Sequence, residues 1–139
     1  MKKRVVGLYK SILESLPRRL HRPALFFYSE KKMLEYAGDR MGMKYKEIRR
    51  LFYDECASEQ YNKGQILLPR KYQIKESQSI LGLAFPDELL LNCYGLSRET
   101  DNVVKFVILH ELGHCNDNKK RSTIAERERW ADKFALRFL

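Results

Sequence analysis

The stretch Val103-Val104-Lys105-Phe106-Val107-Ile108-Leu109-His110-Glu111-Leu112-Gly113-His114 decides how the chain is to be read. From Val103 to Leu109 it is apolar except for Lys105, so the spacing predicts a helix buried nearly all round. The helix closes on His110-Glu111-Leu112-Gly113-His114, an HExxH pattern. Two histidines four apart stand one above the other on the same helical face. Both imidazoles can then reach one point, an arrangement that tetrahedral zinc accepts. Glu111, one residue on, can reach a water held at that point. The bland alternative is a chance pair of hydrogen-bonded histidines, and the apolar run leading into the pattern argues against it.

A catalytic zinc takes a third protein ligand and keeps a fourth position open. The chain has three histidines, and none follows His114. This excludes the classes that use a downstream histidine, and His21 lies far upstream in a Pro/Arg-rich connector. A carboxylate is left. Ser122-Thr123 can cap a last helix running to Leu139, on which Ile124, Ala131, Ala135 and Phe138 form an apolar stripe. Glu128 falls inside that stripe, whereas Glu126 falls with Arg129, Lys133 and Arg137 on the polar side. An ionised carboxylate in a buried stripe is costly unless paired or bound to a metal, so Glu128 is the expected ligand. Asp132, one turn further, is placed either to orient a liganding histidine through its free ring N–H or to pair with Lys133 or Arg129 at the surface.

Upstream of the decisive helix, Ser97 is the expected cap, with Glu99 and Asp101 in the first turn. Residues 80–85, Pro86-Asp87 and residues 88–92 read as strand, turn and strand. From about Ile48 to Asn92 the signals change to strands: residues 51–61 are mixed in pattern, residues 65–69 read as a strand after a turn at Asn62-Lys63-Gly64, and residues 70–77 are polar and uninformative. Residues 4–16 predict an amphipathic helix ended by Pro17, and residues 30–37 a helix stopped by Gly38. The apolar run at residues 24–28 is a strand or a buried helix; periodicity does not separate the two.

The chain's 139 residues, 44% hydrophobic, suit one compact unit. Its net charge of +9 is uneven. Residues 1–50 hold 14 Lys/Arg against 5 Asp/Glu, and residues 51–139 hold 13 of each. That basic third could meet nucleic acid or an acidic partner, or be a solvated face, and no nucleic-acid-binding motif accompanies it. Cys56, Cys93 and Cys115 are odd in number and form no pair of metal-ligand spacing, which predicts a reducing compartment. Cys115 follows His114 but projects about 100° away from it around the helix. With no apolar run of about eighteen residues, and too short a run after Lys2-Lys3-Arg4 for a signal peptide, the expectation is a cytoplasmic protein without a membrane segment.

His110-Glu111-Leu112-Gly113-His114 followed by Glu128-x-x-Ala131-Asp132-x-Phe134-Ala135 resembles the gluzincin metallopeptidases. It looks most like the small ImmA/IrrE-type peptidases and the minimal single-domain minigluzincins, over about residues 87–139. The resemblance implies an α+β, zincin-like domain spanning residues 1–139. It would have a basic helical N-terminal part (1–50), then a short mixed or antiparallel sheet, the HExxH helix and a C-terminal ligand-bearing helix. It implies zinc on His110, His114 and Glu128, Asp132 in support, and peptide hydrolysis with Glu111 as general base. It also implies that residues 88–92 form the edge strand bordering the cleft, where an extended peptide or unfolded protein would add. A second oxyanion stabiliser is unassigned, with Tyr72, Tyr94 or an arginine as candidates. Only thirteen residues separate His114 from Glu128, short for that class, which suits a minimal scaffold. Two other outcomes stay open: a regulatory protein docked on DNA or a repressor through its basic third, and a zinc-stabilised scaffold or latent enzyme without turnover.

Overall fold

The computed structural model describes residues 2–75, 79–119, 121 and 123–139. Its elements run α1 (Lys2–Ser15), β1 (Ala24–Phe27), α2 (Glu30–Met41), α3 (Tyr45–Cys56), α4 (Glu59–Gly64), β2 (Gly82–Ala84), β3 (Leu89–Asn92), α5 (Cys93–Ser97), α6 (Asp101–Cys115) and α7 (Ile124–Phe138). The fold is α+β, with a mixed three-stranded sheet in the order β1-β3-β2.

The central strand explains the layering. Leu89-Leu90-Leu91-Asn92 is buried at every position, as a strand covered on both faces must be. Alternation sends Leu89 and Leu91 into a core shared with α1, α5, α6 and α7. Leu90 points the other way, against Met33, Leu34, Ala37 and Ile48 of α2 and α3. β1 pairs parallel with β3, Leu25 opposite Leu90, and a parallel pair needs a long crossover. β2 pairs antiparallel with β3 through a tight turn in which Phe85 N–H donates to Glu88 O at 2.8 Å.

Several sequence expectations change here. Where strand signals were expected from about Ile48, residues 45–56 and 59–64 are helices, α3 and α4, and residues 65–69 form no strand. Their aromatic content favours a strand locally, but Ile48 and Phe52 lie on one helical side against α2, and Ser58 Oγ caps α4 by accepting from Tyr61 N–H at 3.1 Å. Asn62-Lys63-Gly64 is therefore the end of α4 and not a hairpin turn. α2 runs through Gly38 to Met41 and stops at Gly42, which holds the left-handed φ of 69° that favours glycine. Residues 24–27 resolve as a strand. A division at residue 50 cuts through α3, and β1 from the basic part shares the sheet with β3.

α6 begins one turn later than expected. Thr100 is its cap, accepting from Val103 N–H at 3.3 Å, while Ser97 ends α5. Asn116 closes α6 by donating to Leu112 O at 2.9 Å and Leu20 O at 3.0 Å. Thr123 caps α7 by accepting from Glu126 N–H at 3.1 Å; Ser122 lies outside the described residues. Among the described residues, no helix is long and apolar enough to cross a membrane.

Candidate metal centre

α6 delivers the two histidines and α7 the acid, and small residues let the helices close on each other. A Cβ on Gly113 would lie 3.1 Å from Phe134 Cβ and 3.2 Å from Ala131 Cα. The antiparallel return places Glu128 beside the HExxH turn. His110 Nε2 lies 3.0 Å from Glu128 Oε2, His114 Nε2 lies 3.2 Å from Glu128 Oε1, and the two Nε2 atoms are 3.1 Å apart. One ligand atom from each of the three residues falls within 4.8 Å of the others. Glu111 Oε1 is 4.0 Å from His110 Nε2. Asp132 Oδ1 meets His110 Nδ1 at 2.7 Å. Neither Lys133 nor Arg129 pairs with Asp132; Arg129 donates to Lys63 O at 3.2 Å.

The donor set could hold a tetrahedral cation: zinc bonds of about 2.0–2.1 Å put neighbouring ligand atoms about 3.3–3.4 Å apart, and here the two Nε2 atoms are 3.1 Å apart and each lies 3.0–3.2 Å from a different oxygen of Glu128. With Nδ1 engaged by Asp132, His110 turns Nε2 toward Glu128 and His114, where loss of its proton would free a lone pair for a metal. Glu128 Oε2 is buried and accepts no hydrogen bond, although His110 Nε2 is only 3.0 Å away. The contact has the distance of a hydrogen bond without its direction. Glu111 Oε2 and Asp132 Oδ2 are likewise buried without partners. Unsatisfied buried carboxylate oxygens are expensive, and a divalent cation with its water would satisfy those facing it.

Electrostatics bind the cluster together. Burial works to lower the His110 pKa, but Asp132 and Glu128 beside it outweigh that and hold it well above the usual histidine range. Burial would raise Glu128, yet contacts with His110 and His114 hold it well below the usual carboxylate range. Glu111 is pushed up, first by burial, with His110 and His114 opposing. The cysteines stay protonated. Burial and then Glu128 raise Cys56 to about 11, and burial raises Cys115 to about 12, where its Sγ donates to Glu88 O at 3.6 Å.

The cluster opens on a cavity of about 930 Å³, whose lining includes Tyr61, Tyr72, Gly82, Leu83 and Phe106 beside the site residues. The strand bordering it is β2; residues 89–92 are central and buried. The expectation of an edge strand at residues 88–92 is therefore overturned, because β1 occupies the second side of β3. Tyr94 is exposed and does not line the cavity. Tyr72 does, stacked on Phe106 at 6.1 Å. Tyr61 also lines it and escaped the sequence reading, since taking Asn62-Lys63-Gly64 as a turn removed the helix that carries it. Burial and then Glu128 push its phenol well above the usual tyrosine range. His21 is half-buried and meets Leu16 O at 2.9 Å, far from the cluster in role and contact.

Compared with protein-family models, with curated proteins and with solved structures, the chain finds no match in any of the three.

Proposed function

We propose that this protein is a zinc-dependent metallopeptidase of the gluzincin kind, with a zincin-like fold, in which His110, His114 and Glu128 hold the metal and Glu111 is the general base. The observation that carries this reading is the convergence of two Nε2 atoms and the Glu128 carboxylate at 3.0–3.2 Å. A zinc ion there would lower the pKa of a water towards about 7 and polarise a peptide carbonyl.

Glu111 is 6% exposed and keeps one carboxylate oxygen free of hydrogen bonds. Burial raises its pKa, which suits a group that takes a proton from the attacking water and hands it to the leaving amine. A scaffold that only held zinc would have no use for this further buried acid, one oxygen of which has no hydrogen bond, beside its ligands. Asp132 fixes the ring orientation of His110 and keeps Nε2 as the ligating atom.

The substrate would be an extended peptide or unfolded segment. β2 pairs on one side with β3, and residues 79–85 line the cavity, so a peptide adding alongside β2 would cross the site with backbone hydrogen bonds supplying affinity.

The test is Glu111→Gln with zinc supplied to both proteins. The variant should bind zinc as the parent does and lose about 10²–10⁴-fold in kcat on an unfolded protein. Equal cleavage by the two would refute the mechanism.

A further inference from the structure

Two glycines pack closely on the site's carboxylate-bearing residues, and neither is needed for a left-handed turn. Among the described glycines only Gly42 has positive φ. Gly64 ends α4 and Gly82 opens β2, positions where alanine would hold a helix or strand better. Contact accounts for both. A Cβ on Gly64 would sit 2.6 Å from Ala125 O, 2.8 Å from Ala125 Cα and 3.0 Å from Glu128 Cβ. The first two are backbone atoms of α7, so relief requires α4 and α7 to part. A Cβ on Gly82 would sit 2.9 Å from Glu111 Cγ, 3.4 Å from Glu111 Cδ and 3.3 Å from Leu90 O. There the closest atoms belong to a side chain, so relief requires Glu111 to swing away.

We infer that Gly64 and Gly82 are positioning residues that seat the site's two working carboxylates separately: Gly64 sets Glu128, and through it metal affinity, while Gly82 sets Glu111, and through it proton transfer. This rests on the metallopeptidase reading above. The separation follows from the neighbours of each glycine. The three atoms nearest a Cβ on Gly64 all belong to α7, to Ala125 and the acid ligand Glu128, whereas those nearest a Cβ on Gly82 belong to Glu111 and Leu90. Overpacking at Gly64 moves the ligand helix away from α4, whereas overpacking at Gly82 leaves all three ligands in place.

The remote control is Gly38 in α2, where a Cβ would lie 2.6 Å from Met43 O, a backbone clash of the same size. Gly38 lines no part of the cavity.

The experiment compares wild type, Gly38→Ala, Gly64→Ala and Gly82→Ala in three measurements: zinc affinity against a chromophoric chelator, thermal unfolding in excess chelator, and peptide hydrolysis at saturating zinc. Gly64→Ala should weaken zinc by about 10–100-fold, the usual loss when a ligand's support is disturbed. Gly82→Ala should keep zinc within about twofold, yet lose about 10²-fold in kcat, as expected for a misplaced catalytic group. Gly38→Ala should unfold at lower temperature while zinc affinity and kcat stay those of wild type. Should Gly64→Ala not fold, the Gly82 arm decides alone: full turnover in Gly82→Ala overturns the proposal. It is also overturned if Gly82→Ala loses zinc as Gly64→Ala does, or if Gly38→Ala reproduces either pattern. A wild-type chain that takes up no zinc refutes the metal reading itself, and this inference with it.

Discussion

The α6–α7 pair and the α2–α3 pair are built for different ends. α2 and α3 bury Met33, Leu34, Ala37 and Ile48 against Leu90 and hold no buried acid. α6 and α7 bury Glu111, Glu128 and Asp132 within an otherwise apolar packing. Desolvating three carboxylates in one place works against folding. The contrast teaches that one pair supplies stability, and the other gives some of it up to hold three acids and two histidines in a fixed geometry.

The largest effect that sharpens this contrast is on stability. Leu34→Ala empties a fully buried position and should cost about 2–5 kcal/mol of unfolding free energy. Zinc affinity of the folded variant should match the parent, as read by denaturant titration beside chelator competition. A large loss of zinc affinity would mean that the two pairs are not separable.

Asp132→Asn comes next. It keeps the shape but weakens the 2.7 Å contact to His110 Nδ1, and zinc should bind about 10–100-fold more weakly. An unchanged affinity would reduce Asp132 to a packing role.

The response to pH is smaller per step and has a definite sign. His110 is held protonated above the ordinary histidine range, and it must release that proton to ligate. Zinc affinity should therefore fall about tenfold per pH unit as pH drops below the raised pKa of His110, and level off above it. Chelator-treated protein should show the opposite slope. A raised folded pKa contributes stability that is complete below the unfolded value and lost as pH rises through the folded one. Thermal unfolding with and without chelator across pH checks both slopes.

The same contrast governs how much the sequence disclosed. α6 and α7 were legible because burial and chemistry coincide there. Glu128 stands out as an acid inside an apolar stripe, and His110 and His114 stand out by their spacing. The hairpin at residues 80–92 was legible from its Pro86-Asp87 turn between apolar runs. α3 and α4 were not, since Phe52, Tyr53 and Tyr61 carry strand-favouring side chains, and packing against α2 and α7 joins the local caps at Lys44 and Ser58 in making those segments helices. The strand order was hidden as well. That β1 covers the second edge of β3, leaving β2 at the cavity, depends on a long-range parallel pairing that no local pattern encodes. Tyr61 and the two close-packed glycines depend on that same long-range packing.

The central claim is that three side chains from two helices hold one metal. Its most direct test is zinc content and affinity of wild type beside His110→Ala and Glu128→Ala, with circular dichroism to verify folding. About one zinc per chain in wild type, and its loss in both folded variants, is the predicted result. A wild type without zinc, or a Glu128→Ala variant that retains it at full affinity, would contradict the site as described.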